Sequence, residues 1–411
     1  MSQPAAVTQN AVKTPAYAWV VLFALYMATL SATLDLFKVP PIMGTLIGTF
    51  GLSNSQAGLL MSIFSIMGFV LAIPAGYILM RFGIKMTGLI AVGAVIIGSS
   101  LGAMATATAP NMLFFGRFVE GIGMGLIMVT APFAISVWFP LQNRALPTGL
   151  WASSVGIGNI VTLLIAPALT LRSSWQAVWW ACAAFSALSF ILFALLFRLP
   201  KKEEMYAAPA PATQEKPPSL ASGMANRSLW MISISFGCYN LVVMAMCTWL
   251  PRFLEALRGY TVSTAALFTA FIMLASIFSG PGGGSISDRL GKRKIMILIP
   301  YILMTVTFLF PFAVTGSMIP VYMILFGIVG GPLAPILLAS VPEVAKSPSL
   351  IGIGMSVAAV GQNIGMFIGP WLFGVILDRV GATVSGYSTA GYWMIPICLV
   401  GIIATLFIKV R

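Results

Sequence analysis

The chain has 411 residues, 59% of them hydrophobic and only 8% charged, with 22 Lys and Arg against 9 Asp and Glu and no histidine. A mean hydropathy of +1.00 excludes an ordinary soluble domain, and with it the nucleic-acid reading that a net charge of +13 would invite. The four cysteines, Cys182, Cys238, Cys247 and Cys398, are scattered through apolar segments without metal-ligand or redox spacing, so no metal site, disulfide framework or other cofactor is expected.

About 20 apolar residues cross a bilayer. On that template the sequence predicts an all-α integral membrane protein with twelve spans, near 17–40, 55–80, 86–107, 110–138, 146–169, 175–198, 228–250, 262–284, 294–315, 318–341, 350–376 and 388–408. A tail, 1–16, precedes the first span without the basic segment, short apolar run and small-residue site of a cleaved leader, so that span is expected to be retained. Residues 199–227, rich in Pro, Ala and charge, read as a linker between two six-span halves, 17–198 and 228–411.

The first span ends in SATLDLFKVPP, residues 31 to 41, which carries Asp35 and Lys38. An ionisable side chain at membrane depth costs at least ~2.5 kcal/mol, so it normally faces a partner or a wet cavity. The fourth span carries a second such pair, Arg117 and Glu120. A spacing of three places each pair on one helix face, and the four formal charges sum to zero. Such a set is satisfied internally when empty and rearranges when a proton or solute arrives; the alternative is a fixed ion-pair network joining spans one and four. Without histidine, proton carriage falls to Asp35 or Glu120.

In the second half, Tyr239 and Asn240 on span seven and Gln362 and Asn363 on span eleven either read a solute by hydrogen bonding or bond between helices. The glycine-rich stretches SVGIGNI (154–160), GIVGGP (327–332) and GIGMSVAAVGQNIG (352–365) are expected to be close-packing surfaces.

If the amino terminus is cytoplasmic, sixteen Lys and Arg fall on the cytoplasmic side and only Arg172, Arg252, Arg258 and Arg379 on the other, with Lys38 and Arg117 inside spans. The charge rule therefore puts both termini and the linker in the cytoplasm. The halves echo one another: Gly76, Arg81, Gly83 and Lys85 in GYILMRFGIKM align with Gly284, Arg289, Gly291 and Arg293 in GSISDRLGKRK, and IAP (165–167) aligns with IGP (368–370). Glycines at 284 and 291 are expected to permit tight turns and close helix approach. Internal repetition of this kind marks transporter folds.

Twelve spans, a central linker and glycine-plus-basic loops after spans two and eight resemble the major facilitator superfamily over nearly the whole chain. The second loop matches the family pattern G-x-x-x-D-R-x-G-K-R through Gly284, Asp288, Arg289, Gly291, Lys292 and Arg293, whereas Met80 stands where the first loop usually has an acid. GRFVEGIGMG (116–125) is similar to the family's R-x-x-x-G element, and Asp35 with Pro40 to its first-span element. The resemblance implies that spans one, four, seven and ten line a central path, that Arg117 faces it and is tied to proton coupling, and that the two loops gate access. It further implies two pseudo-symmetric six-helix bundles working by alternating access in a bacterial inner membrane, as a monomer.

Among the family's branches, nitrate and oxalate carriers place bases inside spans two and eight or eight and eleven, and those are not found here. The drug exporters' G-P-x-x-G-G element is replaced by TLLIAP in span five, and WFPLQNRALPTGLW (138–151) is similar to the corresponding junction in uptake carriers for organic anions. The expected function is proton-coupled uptake of a small organic anion or zwitterion, with protons and that solute as partners, Lys38 or Arg117 pairing to its negative group, and no enzymatic chemistry. The alternative is proton-driven export of amphipathic compounds or drugs, for which the 24 methionines speak.

Overall fold

A backbone in hydrocarbon has no water to bond, so each apolar stretch closes its own hydrogen bonds as a helix. The structure, a computed structural model, describes residues 14–71, 74–140, 143–201, 226–310, 312–345 and 350–410. Most of the expected linker, residues 202–225, lies outside them, as do Lys13, Lys202, Lys216, Lys346 and Arg411.

The first half comprises α1 (Tyr17–Phe37), a 3-10 turn (Pro40–Ile42), α2 (Met43–Phe50), α3 (Asn54–Val70), α4 (Pro74–Ala103), α5 (Asn111–Trp138), α6 (Ala145–Arg172) and α7 (Trp175–Leu196). The second comprises α8 (Arg227–Arg258), α9 (Val262–Leu290), α10 (Arg293–Thr307), α11 (Met318–Gly330), α12 (Leu333–Val344), α13 (Ile351–Val380), α14 (Val384–Tyr392) and α15 (Met394–Leu406). Ten stretches of described helix are long and apolar enough to cross a membrane; the shorter α3, 17 residues, and α10, 15 residues, bring the number to twelve. Pro40 and Pro41 turn the first span at its end, so that α2 continues it as a separate short helix. The ninth ends earlier than its hydropathy suggests, at Thr307.

The second and third spans share α4, which breaks at Gly83 (φ 74°, ψ 169°). Its counterpart Gly291 ends α9 in the left-handed region (φ 62°). A residue with a Cβ is strained in either conformation, so the repeat preserves a backbone requirement at these two positions. Gly284 differs from expectation. It lies inside α9, and a Cβ there would meet nothing within 4 Å, so neither a turn nor close packing requires it.

The halves meet where α3 packs on α13 and α6 on α9. Within the second half, α13 lies against α8 along Gly361, Gly365 and Gly369, where an added Cβ would fall 1.9, 2.0 and 2.3 Å from the carbonyl oxygens of Ser233, Gly237 and Leu241. Backbone meets backbone along this seam, which is how apolar helices associate when lipid supplies no hydrophobic drive. Outward faces carry bare apolar side chains such as Phe278 and Leu195, each 75% exposed, as lipid contact demands.

The seam gives a paired prediction. Gly365→Ala forces α8 and α13 apart and costs about 3 kcal/mol, the upper end for overpacking, whereas Gly284→Ala is neutral or stabilises by up to ~1 kcal/mol as a helix former in open space. Thermal unfolding of the purified variants in detergent checks both.

Candidate functional site

The prolines that turn the first span also create its chemistry. In a helix the Leu36 carbonyl would bond the amide of residue 40, but Pro40 has no N–H to give. Arg117 fills that gap. Its Nη2 donates to the Leu36 oxygen at 3.2 Å, its Nη1 to the Asp35 oxygen, and its Nε to the Leu60 oxygen of α3 at 3.2 Å. One guanidinium on α5 thus ties the ends of α1 and α3 together, using the fixed fork of donors that only arginine offers.

The same Nη1 meets Glu120 Oε2 at 2.8 Å. Glu120 Oε1 accepts from Lys38 Nζ at 2.8 Å, and Lys38 also pairs with Asp35 Oδ1. Ser99 on α4 closes the set. Its hydroxyl accepts from Lys38 at 2.9 Å, donates to Asp35 Oδ1, and lies 3.2 Å from Glu120 Oε1. All five side chains are fully buried. Aromatic rings cover both cations: Trp179 lies 4.6 Å from Lys38 Nζ and Phe64 4.7 Å from the Arg117 guanidinium. Asp35 Oδ2 finds no hydrogen-bond partner among the described residues, whereas both oxygens of Glu120 are occupied.

Glycines make this density possible. A Cβ on Gly98 would sit 2.6 Å from Glu120 Cγ and from the Gly116 oxygen, and one on Gly121 would sit 2.4 Å from the Phe64 oxygen. The GRFVEGIGMG stretch therefore packs α5 against α3 and α4 while aiming Arg117 and Glu120 at the end of α1.

A cavity of about 520 Å³ lies beside the cluster, between the halves. Leu36, Phe37 and Phe64 form the wall separating the two, and no acidic or basic side chain lines the cavity among the described residues. The two pairs expected on the central path face each other inside the first half, sealed from it. What does line the cavity is neutral: Tyr239, Asn240, Gln362 and Asn363, as singled out from sequence, together with Asn159 on α6. The side-chain N–H groups of Asn240 and Asn363 each hold a carbonyl of their own helix at 2.9 Å, and Asn159 Oδ1 has no partner among the described residues. Asn159 sits within a glycine-rich stretch read only as packing.

Comparison with known proteins joins this architecture to a family. The model of the Major Facilitator Superfamily matches residues 25–347 and 259–411. The chain belongs to the major facilitator superfamily. It is a membrane transporter for small molecules rather than an enzyme, and the superfamily's twelve-helix arrangement in two six-helix bundles accounts for the spans described above. Similar superfamily proteins include the Cupriavidus necator protein named "Probable sulfoacetate transporter SauU", 25% identical over 378 residues and covering 87% of this chain and 86% of that one. A hexuronate transporter of Bacillus subtilis is 24% identical over 356 residues, 83% of each chain. Among solved structures, a bacterial homologue of the human lysosomal transporter Spinster, in an inward-facing, occupied conformation, superposes with a TM-score of 0.76 over 96% of this chain and 97% of its own at 18% identity. A D-xylose-proton symporter does so at 0.76 over 96% and 98% at 16% identity.

The two superfamily loops, expected to gate, differ in their contacts. Asp288 Oδ1 lies 2.7 Å from Arg293 Nη2, and Arg293 Nε donates to Glu343 on α12, an acid that sequence reading left aside. In the first loop Met80 is 80% exposed, and among the described residues Arg81 reaches the Tyr77 hydroxyl at 3.5 Å and lies over the Phe82 ring, 6.0 Å from its centroid. A Cβ on Gly76 would meet nothing within 4 Å, and Arg289 lies in the last turn of α9.

On the face opposite the termini, one carboxylate joins the halves. Asp378, near the end of α13, accepts the Asn54 amide and side-chain Nδ2 on Oδ1, at 2.8 and 2.9 Å, and the Ser55 amide on Oδ2 at 2.8 Å. These amides open α3, where unsatisfied donors and the helix dipole both favour an anion. The contact holds the two halves together on that face. Asp378→Asn keeps the size but loses the charge and one acceptor, which destabilises the closed arrangement by about 1–2 kcal/mol. Spin labels at exposed Thr49 and Ser385 are expected to show an added population at longer distance in the variant.

Proposed function

We propose that the chain is a proton-coupled uptake carrier for a small organic anion, working as a monomer in a bacterial inner membrane with both termini cytoplasmic. The observation that carries this reading is the sealed four-charge cluster with one unpartnered carboxylate oxygen, Asp35 Oδ2. A buried carboxylate oxygen without a donor is a costly arrangement that a proton relieves, so Asp35 is the proton carrier and Glu120, fully paired, is not. The distribution of Lys and Arg, sixteen against four, supports the orientation, and sulfoacetate and hexuronate in the relatives' names support the substrate class.

The neutral cavity gives the coupling its sense. Binding one proton takes the cluster from zero to one net positive charge. Across about 10 Å at an effective dielectric of about 20, that charge attracts a monovalent anion by ~2 kcal/mol, more than tenfold in affinity. Tyr239, Asn240, Gln362, Asn363 and Asn159 then orient the anion by hydrogen bonds, while its charge is balanced through the Leu36, Phe37 and Phe64 wall. Lys38 and Arg117 act on it at a distance rather than by pairing. Bound proton and bound anion favour one another, and the halves rock about the cavity to carry both.

One feature favours the second reading, export of amphipathic compounds: six methionines, Met124, Met128, Met244, Met273, Met355 and Met366, line the cavity.

Reconstituted liposomes separate the two. With an acid exterior, the wild-type protein is expected to accumulate labelled sulfoacetate or glucuronate, with apparent affinity falling roughly tenfold as the proton is lost at rising pH. Asp35→Asn abolishes accumulation but keeps counterflow exchange of the same anion. Full pH-dependent accumulation by a folded Asp35→Asn protein rejects Asp35 as the carrier. Gradient-driven extrusion of a lipophilic dye, with neither anion accumulated, replaces uptake with export.

A further inference from the structure

Ser99 lies at the centre of the cluster, and nothing in the span that carries it sets it apart from its neighbour Ser100, whose hydroxyl simply bonds the Ile96 carbonyl of its own helix at 2.8 Å. Ser99 makes no such bond. Its oxygen accepts from Lys38 Nζ at 2.9 Å, which occupies a lone pair and leaves the hydroxyl proton to be given away. Two acceptors compete for that single proton, Asp35 Oδ1 and Glu120 Oε1, the latter at 3.2 Å. The charged and titratable groups surrounding it are Asp35 and Lys38 from α1, Arg117 and Glu120 from α5, and the Cys182 thiol from α7.

We propose that Ser99 is a positioning residue for proton coupling, its hydroxyl serving Asp35 while Asp35 is ionised and swinging to Glu120 once Asp35 is protonated. The proposal rests on the reading of Asp35 as the proton carrier and adds the group that tunes it. With Asp35 ionised, the hydroxyl and Lys38 both serve Oδ1. When a proton from the aqueous side binds the unpartnered Oδ2, Asp35 becomes neutral, Oδ1 becomes a weak acceptor, and Glu120 is the remaining carboxylate. The hydroxyl turns to it by rotation about one bond. No heavy atom has to move, which suits a position where Gly98 already brings α4 within contact of Glu120 and of the α5 backbone.

A hydrogen bond to the ionised form holds a carboxyl in that form, and losing it favours the proton. In Ser99→Ala the ionised Asp35 loses one of its two donors, keeping Lys38, while the protonated state loses only the longer bond to Glu120. The proton is then held to higher pH. Infrared titration of purified protein in detergent reads this without a substrate: the protonated-carboxyl band of Asp35 is the one missing from Asp35→Asn. Its midpoint is expected to rise by about one pH unit in Ser99→Ala, a tenfold change in proton affinity. Ser99→Thr, which keeps the hydroxyl, stays near wild type, and Ser99→Cys, a weak donor of similar size, falls between. If Ser99→Ala does not fold, the Cys and Thr variants carry the comparison.

Midpoints of Ser99→Ala and Ser99→Cys that match wild type, with the Asp35 band titrating normally, overturn the role of Ser99 and leave the carrier reading standing. A lower thermal stability with an unmoved midpoint has the same meaning. If no titrating band disappears in Asp35→Asn, the carrier reading falls, and the role of Ser99 falls with it.

Discussion

The structure turns on a guanidinium taking the place of a missing amide. Pro40 removes the N–H that would have closed the Leu36 carbonyl at the end of the first span, and Arg117 occupies that carbonyl and the Asp35 carbonyl beside it. A buried arginine needs an anion, which Glu120 supplies; Glu120 has a second oxygen, which draws Lys38; Lys38 in turn draws Asp35. Each charge is thus the answer to the one before it, and the sequence begins with a proline. A chain of this kind is costly in hydrocarbon unless every member is satisfied. All but one atom, Asp35 Oδ2, is.

That logic separates two tasks usually pictured in one place. Charge is kept within the first half, behind Leu36, Phe37 and Phe64, and the cavity between the halves is left to amides, a phenol and thioethers. A field crosses the wall where matter does not. Electrostatic influence extends over about 10 Å in a medium of low dielectric with little salt, so a sealed cluster still acts on the cavity without offering it a competing ligand.

Much of the architecture was legible in the chain because lipid imposes few solutions. Hydropathy marked the spans, and their interruptions fell at Pro40 and Gly83, residues that bend helices for known steric reasons. The embedded charges announced themselves by their cost. What stayed hidden depended on rotation about helix axes. A spacing of three says that Arg117 and Glu120 share a face but not which way that face is turned, and here it turns into the first half. Ser99 was invisible because a serine can bond its own helix, as Ser100 does, and only the neighbours of α4 decide otherwise. Asp378 and Glu343 were passed over because acidic residues add nothing to a topology rule based on Lys and Arg. Gly284 shows the opposite error, a motif glycine whose surroundings demand no glycine.

The seam between α8 and α13 bears on selectivity. Tyr239 and Asn240 stand on one side of it and Gln362 and Asn363 on the other, and backbone-to-backbone contact leaves these helices no freedom to slide. The four side chains consequently form one rigid plate, whose mutual spacing is set within the second half alone. Under the function proposed above, that plate would offer a solute the same spacing whichever side of the membrane is open, and only the contribution of Asn159, from the opposite half, would change with access.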